Sequence, residues 1–386
     1  MNILFITAYP LEYNTSANVR NLGLIEGFLA NGHKISTYSP YPTDRTLHSG
    51  MLQDIPFEQR YWIGGKRDVV LASSKTTSKL TGLKKIKKYA FELYNYFMIY
   101  DRRSLLLNKV TVKDFDKTFD VIVTSSDPKS AHLFAEKLFK QNPKIAKKWI
   151  QYWGDPFAGD ISYRRFLGSY RIKHEEIRLL AMATKVVYVS PFTCDDIKSR
   201  YTKVCDKVCF LPIPYRLSMT SLSRFEFGDS NVVFGYMGDY HSNNRNILPL
   251  YNALCSCGVK SYIVGNSNLS LPEVPSITVA PRLTGEEFKK MTESVNVITC
   301  VCNLKGTQIP GKIYHYVNTG KPIMIVVDGD RSEQLKEYFK SFDRFYICDN
   351  NEGSISNCIN RILTEKKSFE VPLNLNPKEI AKEFLR

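Results

Sequence analysis

The sequence predicts an α/β protein of two domains, each built on a mostly parallel sheet with helices against it. Three observations lead there. Short runs rich in aliphatic residues recur along the chain, as in Asn2–Thr7, Asp120–Ser125, Val232–Met237 and Ile323–Val327. Such runs mark strands buried on both faces. Stretches with apolar residues at helical spacing follow them, which is the alternation of βαβ units. Finally, 386 residues can fill two separate cores, and Pro212 with Pro214 marks a hinge between the halves. The expected division is 1–214, 215–370 and a terminal helical segment over 371–386.

Composition narrows the class. Lys and Arg outnumber Asp and Glu by 53 to 38, a formal charge of +15. That excess calls for an acidic partner: nucleotide, lipid headgroup or nucleic acid. Nine cysteines occur without a C-x-x-C pair, so reduced thiols in a cytosolic protein explain them better than disulfides or zinc. No window has the apolar length of a membrane span. The opening MNILFITAYP lacks the basic and long apolar regions of a signal peptide and reads as a first strand.

In chain order, strand Asn2–Thr7 leads through a loop into a helix over Ala17–Asn31, with Val19, Leu22, Ile25, Phe28 and Leu29 on its apolar side and Gly32 closing it. Ile35–Tyr38 is the second strand. No G-x-G-x-x-G follows the first strand, which disfavours a dinucleotide. Ser16 and Arg20 lie where the loop after the first strand enters this helix. Ser16 reads first as the helix cap.

The clearest composition shift comes next. From Lys75 to Arg103, bases including Lys84, Lys85, Lys87 and Lys88 are interleaved with Tyr89, Phe91, Tyr94, Tyr96, Phe97 and Tyr100. Lysines that meet anionic headgroups and rings that sit at the interface would suit contact with a membrane surface. An amphipathic helix packed on its own domain, with a solvated charge run, fits the same residues. Single-stranded nucleic acid would also use these residue types, but no recognition module accompanies them.

Strand Asp120–Ser125 runs into Asp127-Pro128, and strand Trp149–Trp153 into Gly154-Asp155-Pro156. The carboxyl ends of parallel strands face the ligand crevice. Asp127 and Asp155 both fall there, and either could act as a general base. Asp127 before proline also reads as a helix N-cap, and Asp155 is the better candidate. His132, a turn into the following helix, reads as packed or solvated. A charged helix over Arg164–Ala183, strand Lys185–Ser190, helix Phe192–Tyr201 and strand Lys207–Ile213 complete the half.

The second half opens on strand Val232–Met237, the loop Gly238–Arg245 and a helix over Asn246–Cys255. A cation at a helix start is unfavourable, so Arg245 there points mildly to a phosphate partner. Further strands fall at Ser261–Val264, Ser276–Val279 and Val295–Val301. Then comes GTQIPGKIYHYVNTGKPIMIVV, residues 306–327. Pro310-Gly311 reads as a turn, Lys312–Thr319 as a helix, Gly320 as its C′ glycine and Ile323–Val327 as a buried strand. Free N–H groups, a positive dipole end and the Lys312 ammonium would make an anion site, best suited to a diphosphate. His315 lies at i+3 from Lys312. An ordinary surface helix with a structural turn fits the spacing equally well. Asp328-Gly329-Asp330 could be read as a metal pair, but Asp330 with Glu333 makes a better cap for the next helix. Strand Phe345–Cys348, helix Ile355–Thr364 and a helix from Pro377 end the chain.

PGKIYHY followed by TGKP resembles the C-terminal signature of GT-B glycosyltransferases, especially the family 4-like enzymes of bacterial surface-polysaccharide synthesis. GYMGDYHSNNRN resembles that family's first C-domain loop, and KVVYVSPF its last N-domain strand. The resemblance spans nearly the whole chain, although only the 306–322 motif is specific. It implies two Rossmann-like domains facing across a cleft, with the terminal helix crossing back to the first and an acceptor met by the loop after the first strand, at Ser16 and Arg20. It implies a nucleotide-diphosphate sugar held by Gly238, Arg245, Gly311, Lys312 and His315, with Arg282 near the base. His315 stands where the family usually has a ribose-binding glutamate, and Thr307, with Gln308 beside it, stands where a second is expected. Neutral His or Gln can still bond a hydroxyl. The family works without a metal or other cofactor. Its basic, aromatic insertion often docks on the membrane that carries a lipid-linked saccharide acceptor.

The expectation is therefore a metal-independent glycosyltransferase, cytoplasmic and peripheral on the inner face of the membrane, with no nucleic-acid partner. Two other classes stay open: a non-catalytic relative that binds membrane or nucleic acid, and a nucleotide-sugar epimerase on the same fold.

Overall fold

Among the described residues, every pairing between strands is parallel. The structure, a computed structural model, describes residues 1–43, 52, 54–73, 98–160, 169–217, 227, 232–283 and 285–386. Lys84, Lys85, Lys87 and Lys88 lie outside the described residues, as does most of the 75–103 segment. The chain divides into two compact units, Met1–Pro212 with Ile380–Arg386, and Ile213–Glu379.

The first unit carries strands β1 (Asn2–Thr7), β2 (Lys34–Pro40), β3 (Gln59–Ile63), β4 (Phe119–Ser125), β5 (Ala146–Trp153), β6 (Lys185–Tyr188) and β7 (Val208–Phe210). Their order is β3-β2-β1-β4-β5-β6-β7, the doubly wound arrangement, with its switch point between β1 and β4. Ile3 of β1 sits between Ile35 and Val121, and all three are inaccessible or nearly so. Helix α1 (Ser16–Ala30) packs Leu22, Leu24, Ile25 and Phe28 on the sheet. Its cap is Thr15, which accepts from the Asn18 amide (3.1 Å). Ser16 is instead exposed at the first helical position, because the hydroxyl one residue earlier already satisfies the orphan N–H. Asn31 and Gly32 (φ +75°) then reverse the chain toward β2. Strand β3 and helix α2 (Lys66–Ser73) went unread in the sequence, since QRYWI is an edge strand whose exposed side tolerates polar residues.

Helices α3 (Ser130–Gln141), α4 (Ser169–Met182) and α5 (Pro191–Arg200) also belong to the first unit. The start of α3 corrects the expected Asp127 cap. Lys129 is the N-cap position and bonds no helix amide. The Asp101 carboxylate, from a distant segment, accepts from the Ser130 amide (3.2 Å) and hydroxyl (2.9 Å).

The second unit repeats the plan with β8 (Phe234–Met237), β9 (Ser261–Val264), β10 (Ile277–Ala280), β11 (Val297–Val301), β12 (Ile323–Val327) and β13 (Tyr346–Asp349), in the order β10-β9-β8-β11-β12-β13. Helix α6 (Leu248–Ser256) follows β8, α7 (Gly285–Ser294) follows β10, and α9 (Ser332–Lys340) and α10 (Glu352–Glu365) flank β13. The signature helix is shorter than expected. α8 is only Lys312–His315, and Val317–Thr319 forms a separate tight turn before Gly320 at φ +70°. The Arg344 guanidinium, fully buried, holds this break. Its Nε and Nη2 donate to the Val317 carbonyl and Nη2 to that of Lys321.

Helix α11 (Pro377–Leu385) returns the chain to the first unit. Phe384 is inaccessible there, edge-on to Phe28 at 5.6 Å and to Tyr152 at 5.4 Å. The expected capping pair Asp330–Glu333 is not formed. Arg331 is the N-cap position of α9 and its side chain caps no helix amide, donating instead to Gln334 Oε1 (3.1 Å), and Glu333 pairs with Lys336 (2.8 Å).

Candidate functional site

Two clusters of charged side chains stand at the carboxyl ends of the sheets, one in each unit, where an open α/β sheet places its ligands.

In the second unit, three cations from three separate segments meet on Met237–Asp239, two on backbone carbonyls and one on the Asp239 carboxylate. From the start of α8, the Lys312 ammonium donates to the Met237 carbonyl (2.6 Å). Arg245, in the loop after β8, donates through Nη1 to the Asp239 carbonyl (3.3 Å) and through Nε to Asn303 Oδ1 (2.9 Å). Arg282, after β10, is exposed and forks onto the Asp239 carboxylate, with Nε 3.2 Å from Oδ1 and Nη2 on Oδ2. Burial lowers the pKa of Lys312, and Arg245 and Arg282 act in the same direction. Burial opposes ionisation of Asp239, but the Asn266 amide and Arg282 outweigh it and hold the carboxyl below its ordinary value. Beneath the cluster, burial pushes the Cys300 thiol up to about 12.

Glycines let this backbone come close. A Cβ at Gly265 would lie 2.0 Å from the Gly238 carbonyl oxygen, so β9 and the 237–239 segment touch through backbone alone. A Cβ at Gly238 would stand 3.5 Å from both the Lys312 ammonium and the Tyr236 hydroxyl. Asn303 extends the cluster toward the signature by donating to the Gln308 carbonyl (3.2 Å). Both side-chain amide atoms of Gln308 are buried without a hydrogen-bond partner among the described residues. A buried amide in that state can serve a hydroxyl as donor and acceptor. Gly311 precedes Lys312 in the turn, and His315 lies half-buried one turn further on.

The structure thus brings Gly238, Arg245, Arg282 and Lys312 together, with Gln308 joined through Asn303. Asp239 and Asn303 escaped the sequence reading. Asp239 directly follows the glycine of the loop, a position where a carboxylate stands out only once its cations are known.

In the first unit, the carboxylates of Asp127, Asp155 and Asp160 lie within 4.8 Å of one another. The Lys129 ammonium, almost fully buried, pairs with Asp127 and with Asp160 (3.2 Å). Burial, then the Asp127 charge, push the half-buried Asp155 carboxyl up to about 7. Burial opposes the charge on Lys129, but Asp127, Asp160 and Asp155 outweigh it and raise its pKa. Three carboxylates this close are also a donor set for a divalent cation. Here an ammonium already bonds two of them. Lys129 and Asp160 were not singled out in the sequence, because only folding brings the 154–160 loop beside the start of α3.

Arg20, expected at the acceptor side, is buried behind this cluster. It donates to Ser125 Oγ (3.2 Å) and to the Ser126 carbonyl, and lies 4.8 Å over the Tyr152 ring. It ties α1 to the ends of β4 and β5, while Ser16 is away on the helix surface. His132 is inaccessible, stacked on Trp153 at 4.2 Å with Nδ1 2.8 Å from Thr124 Oγ1. It is a packed histidine.

No protein-family model matches the chain, and no curated protein matches it by sequence. Solved structures do. The chain is similar to a protein provisionally assigned as a UDP-N-acetylglucosamine 2-epimerase from Listeria monocytogenes, at 10% identity over 100% of this chain and 94% of that one, with a TM-score of 0.55. It is similar to an alpha-glucosyltransferase in complex with UDP at 12% identity over 100% and 95%, TM-score 0.55. A glycosyltransferase from Rickettsia africae matches at 13% identity over 99% and 91%, TM-score 0.51. At such identities the likeness is one of fold. The chain has the GT-B fold: two Rossmann-like units and a terminal helix that returns to the first.

Proposed function

We propose that the chain is a glycosyltransferase that moves a sugar from a nucleotide-diphosphate sugar to a saccharide acceptor. The observation that carries this is the meeting of Arg245, Arg282 and Lys312 on the 237–239 segment, in a chain with the GT-B fold. Cations fixed around a diphosphate stabilise the charge that develops as the nucleotide leaves, often the largest catalytic contribution. Gln308 and His315 would serve hydroxyls of the ribose or sugar.

The acceptor is assigned to the first unit, with Asp155 as base and Asp127 as the alternative. The ionised carboxylate takes the proton of the acceptor hydroxyl. That oxygen bonds the anomeric carbon, and the bond from that carbon to the diphosphate oxygen breaks, releasing the nucleoside diphosphate. Burial, with the neighbouring Asp127 charge, pushes the Asp155 carboxyl up to about 7, which suits a base at neutral pH. A lipid-linked acceptor in surface-polysaccharide synthesis, approached through Lys84, Lys85, Lys87 and Lys88 on an anionic inner membrane face, fits the basic, aromatic 75–103 sequence. No helix among the described residues is long and apolar enough to cross a membrane.

A second reading, a nucleotide-sugar epimerase, is favoured by the fold shared with the Listeria protein. Incubation with a panel of nucleotide sugars, with and without membrane extract, separates the readings. A transferase releases free nucleotide in step with added acceptor, whereas an epimerase turns over donor without one. A chain that binds nucleotide and does neither has lost catalysis. Lys312→Ala is expected to weaken nucleotide binding by about 1–3 kcal/mol, the scale of a charge-assisted bond. Unchanged affinity by calorimetry would refute the assigned site.

A further inference from the structure

We infer that Asp239 discriminates between donor and product at the second-unit site, disfavouring a nucleoside diphosphate relative to its sugar conjugate. The inference rests on the nucleotide-sugar reading above and assigns a role to a residue that reading leaves idle.

Three cations and one carboxylate share the 237–239 segment, leaving a formal net of two positive charges. The diphosphate of a nucleotide sugar carries two negative charges and matches that total. Breaking the bond to the sugar exposes a terminal phosphate whose last proton leaves near pH ~6. The product therefore carries a third negative charge at neutral pH, which the three cations of the cluster do not balance while Asp239 occupies Arg282.

Position supports the role. Asp239 directly follows Gly238, against which the Lys312 ammonium packs, and its carbonyl is bonded by Arg245, so its charge stands among the groups assigned to the diphosphate. The groups that face it are Arg245 from its own loop, the Asn266 amide after β9, Arg282 after β10 and Lys312 of α8, with Cys300 of β11 below Lys312. The carboxylate is held ionised by the Asn266 amide and Arg282. It stays charged across the range in which the terminal phosphate titrates. A neutral Asn at this position could still accept the Asn266 amide bond, so the exchange removes charge with little change of shape.

The test measures Kd by calorimetry for two matched pairs, UDP with UDP-glucose and GDP with GDP-mannose, on the full chain and on Asp239→Asn, at pH 8 and pH 5. At pH 8 the variant is expected to gain affinity for the diphosphate about tenfold more than for the sugar conjugate, the scale of one added unit charge a few ångströms away in a partly solvated site. At pH 5, with the terminal phosphate protonated, that difference is expected to shrink to about twofold or less. A donor-to-product affinity ratio that the substitution leaves unchanged at pH 8 overturns the inference. So does a change of equal size at pH 5, which would mean altered shape and not charge. Thermal unfolding checks that the variant is folded. Asp239→Ser supplies the same charge removal should Asn destabilise, with the same ratio expected. Should the unaltered chain bind neither member of either pair, the nucleotide-sugar reading fails first, a result distinct from normal binding with an unmoved ratio.

Discussion

Gly265→Ala tests whether the 237–239 backbone is the rigid seat on which the cations of the second unit depend. The added methyl would lie 2.0 Å from the Gly238 carbonyl oxygen, 2.4 Å from its carbon and 2.9 Å from the Asp239 nitrogen. Real Cβ contacts under 3.0 Å are essentially never seen, and all three atoms are backbone, so the segment must move by about 1 Å. Such overpacking costs about 1–3 kcal/mol, at about 2–4 °C in Tm per kcal/mol for a unit of this size. The shift also carries Gly238 and Asp239 away from Lys312, Arg245 and Arg282. A misplacement of ~1 Å in a positioned site is worth roughly a hundredfold in rate. The assay is scanning calorimetry for stability together with sugar transfer for activity. Gly353→Ala is the control, since a Cβ there would meet only Asn351 Oδ1, at 3.7 Å, in the first turn of α10. It is expected to leave activity unchanged. A Gly265→Ala protein with unaltered Tm and activity would refute the claim that this close approach organises the site.

Other parts of the structure give further outcomes. If Asp155 is the base, activity rises with pH through about 7 as its carboxyl ionises, and Asp155→Asn removes activity; a flat profile between pH 5.5 and 8 would count against it. Because the folded-state pKa is raised, this group's contribution to stability is complete below its ordinary value of 3.8 and lost as pH rises through about 7. Asp155→Asn should therefore gain Tm relative to the unaltered chain as pH rises over that window. Arg344→Ala strands the Val317 and Lys321 carbonyls and opens a void. It should cost about 3 kcal/mol or more by urea unfolding, and Arg344→Lys, which has no fork, should recover less than half. Phe384→Ala should destabilise the first unit by about 3–5 kcal/mol in Tm-derived stability, since its ring is buried against Phe28 and Tyr152. A loss under about 1 kcal/mol would mean that the terminal helix is not part of that core.

The sequence by itself determined the parallel α/β class and the buried strands, though not the edge strand β3. Runs such as NILFIT and IMIVV are apolar because both faces of a parallel strand are covered, so period and composition suffice to place β1 and β12. In the second unit, Lys312 and Arg245 stood out as cations at helix starts, Gly238 and Arg282 only through the family resemblance, and the structure brings these four together on the 237–239 segment. What only the tertiary structure decided were the pairings between residues far apart in the chain. Arg282 meets a carboxylate at Asp239, Asp101 caps a helix that Asp127 was positioned to cap, and Lys129 joins Asp127 to Asp160. Local spacing cannot see these, because several neighbouring polar residues could serve each cap or ion pair equally well. The choice falls to whichever group the packed sheets bring within reach. The same holds for the break after α8: nothing in KIYHYVNT ends the helix at His315, while the Arg344 fork, brought from the loop before β13, accounts for it.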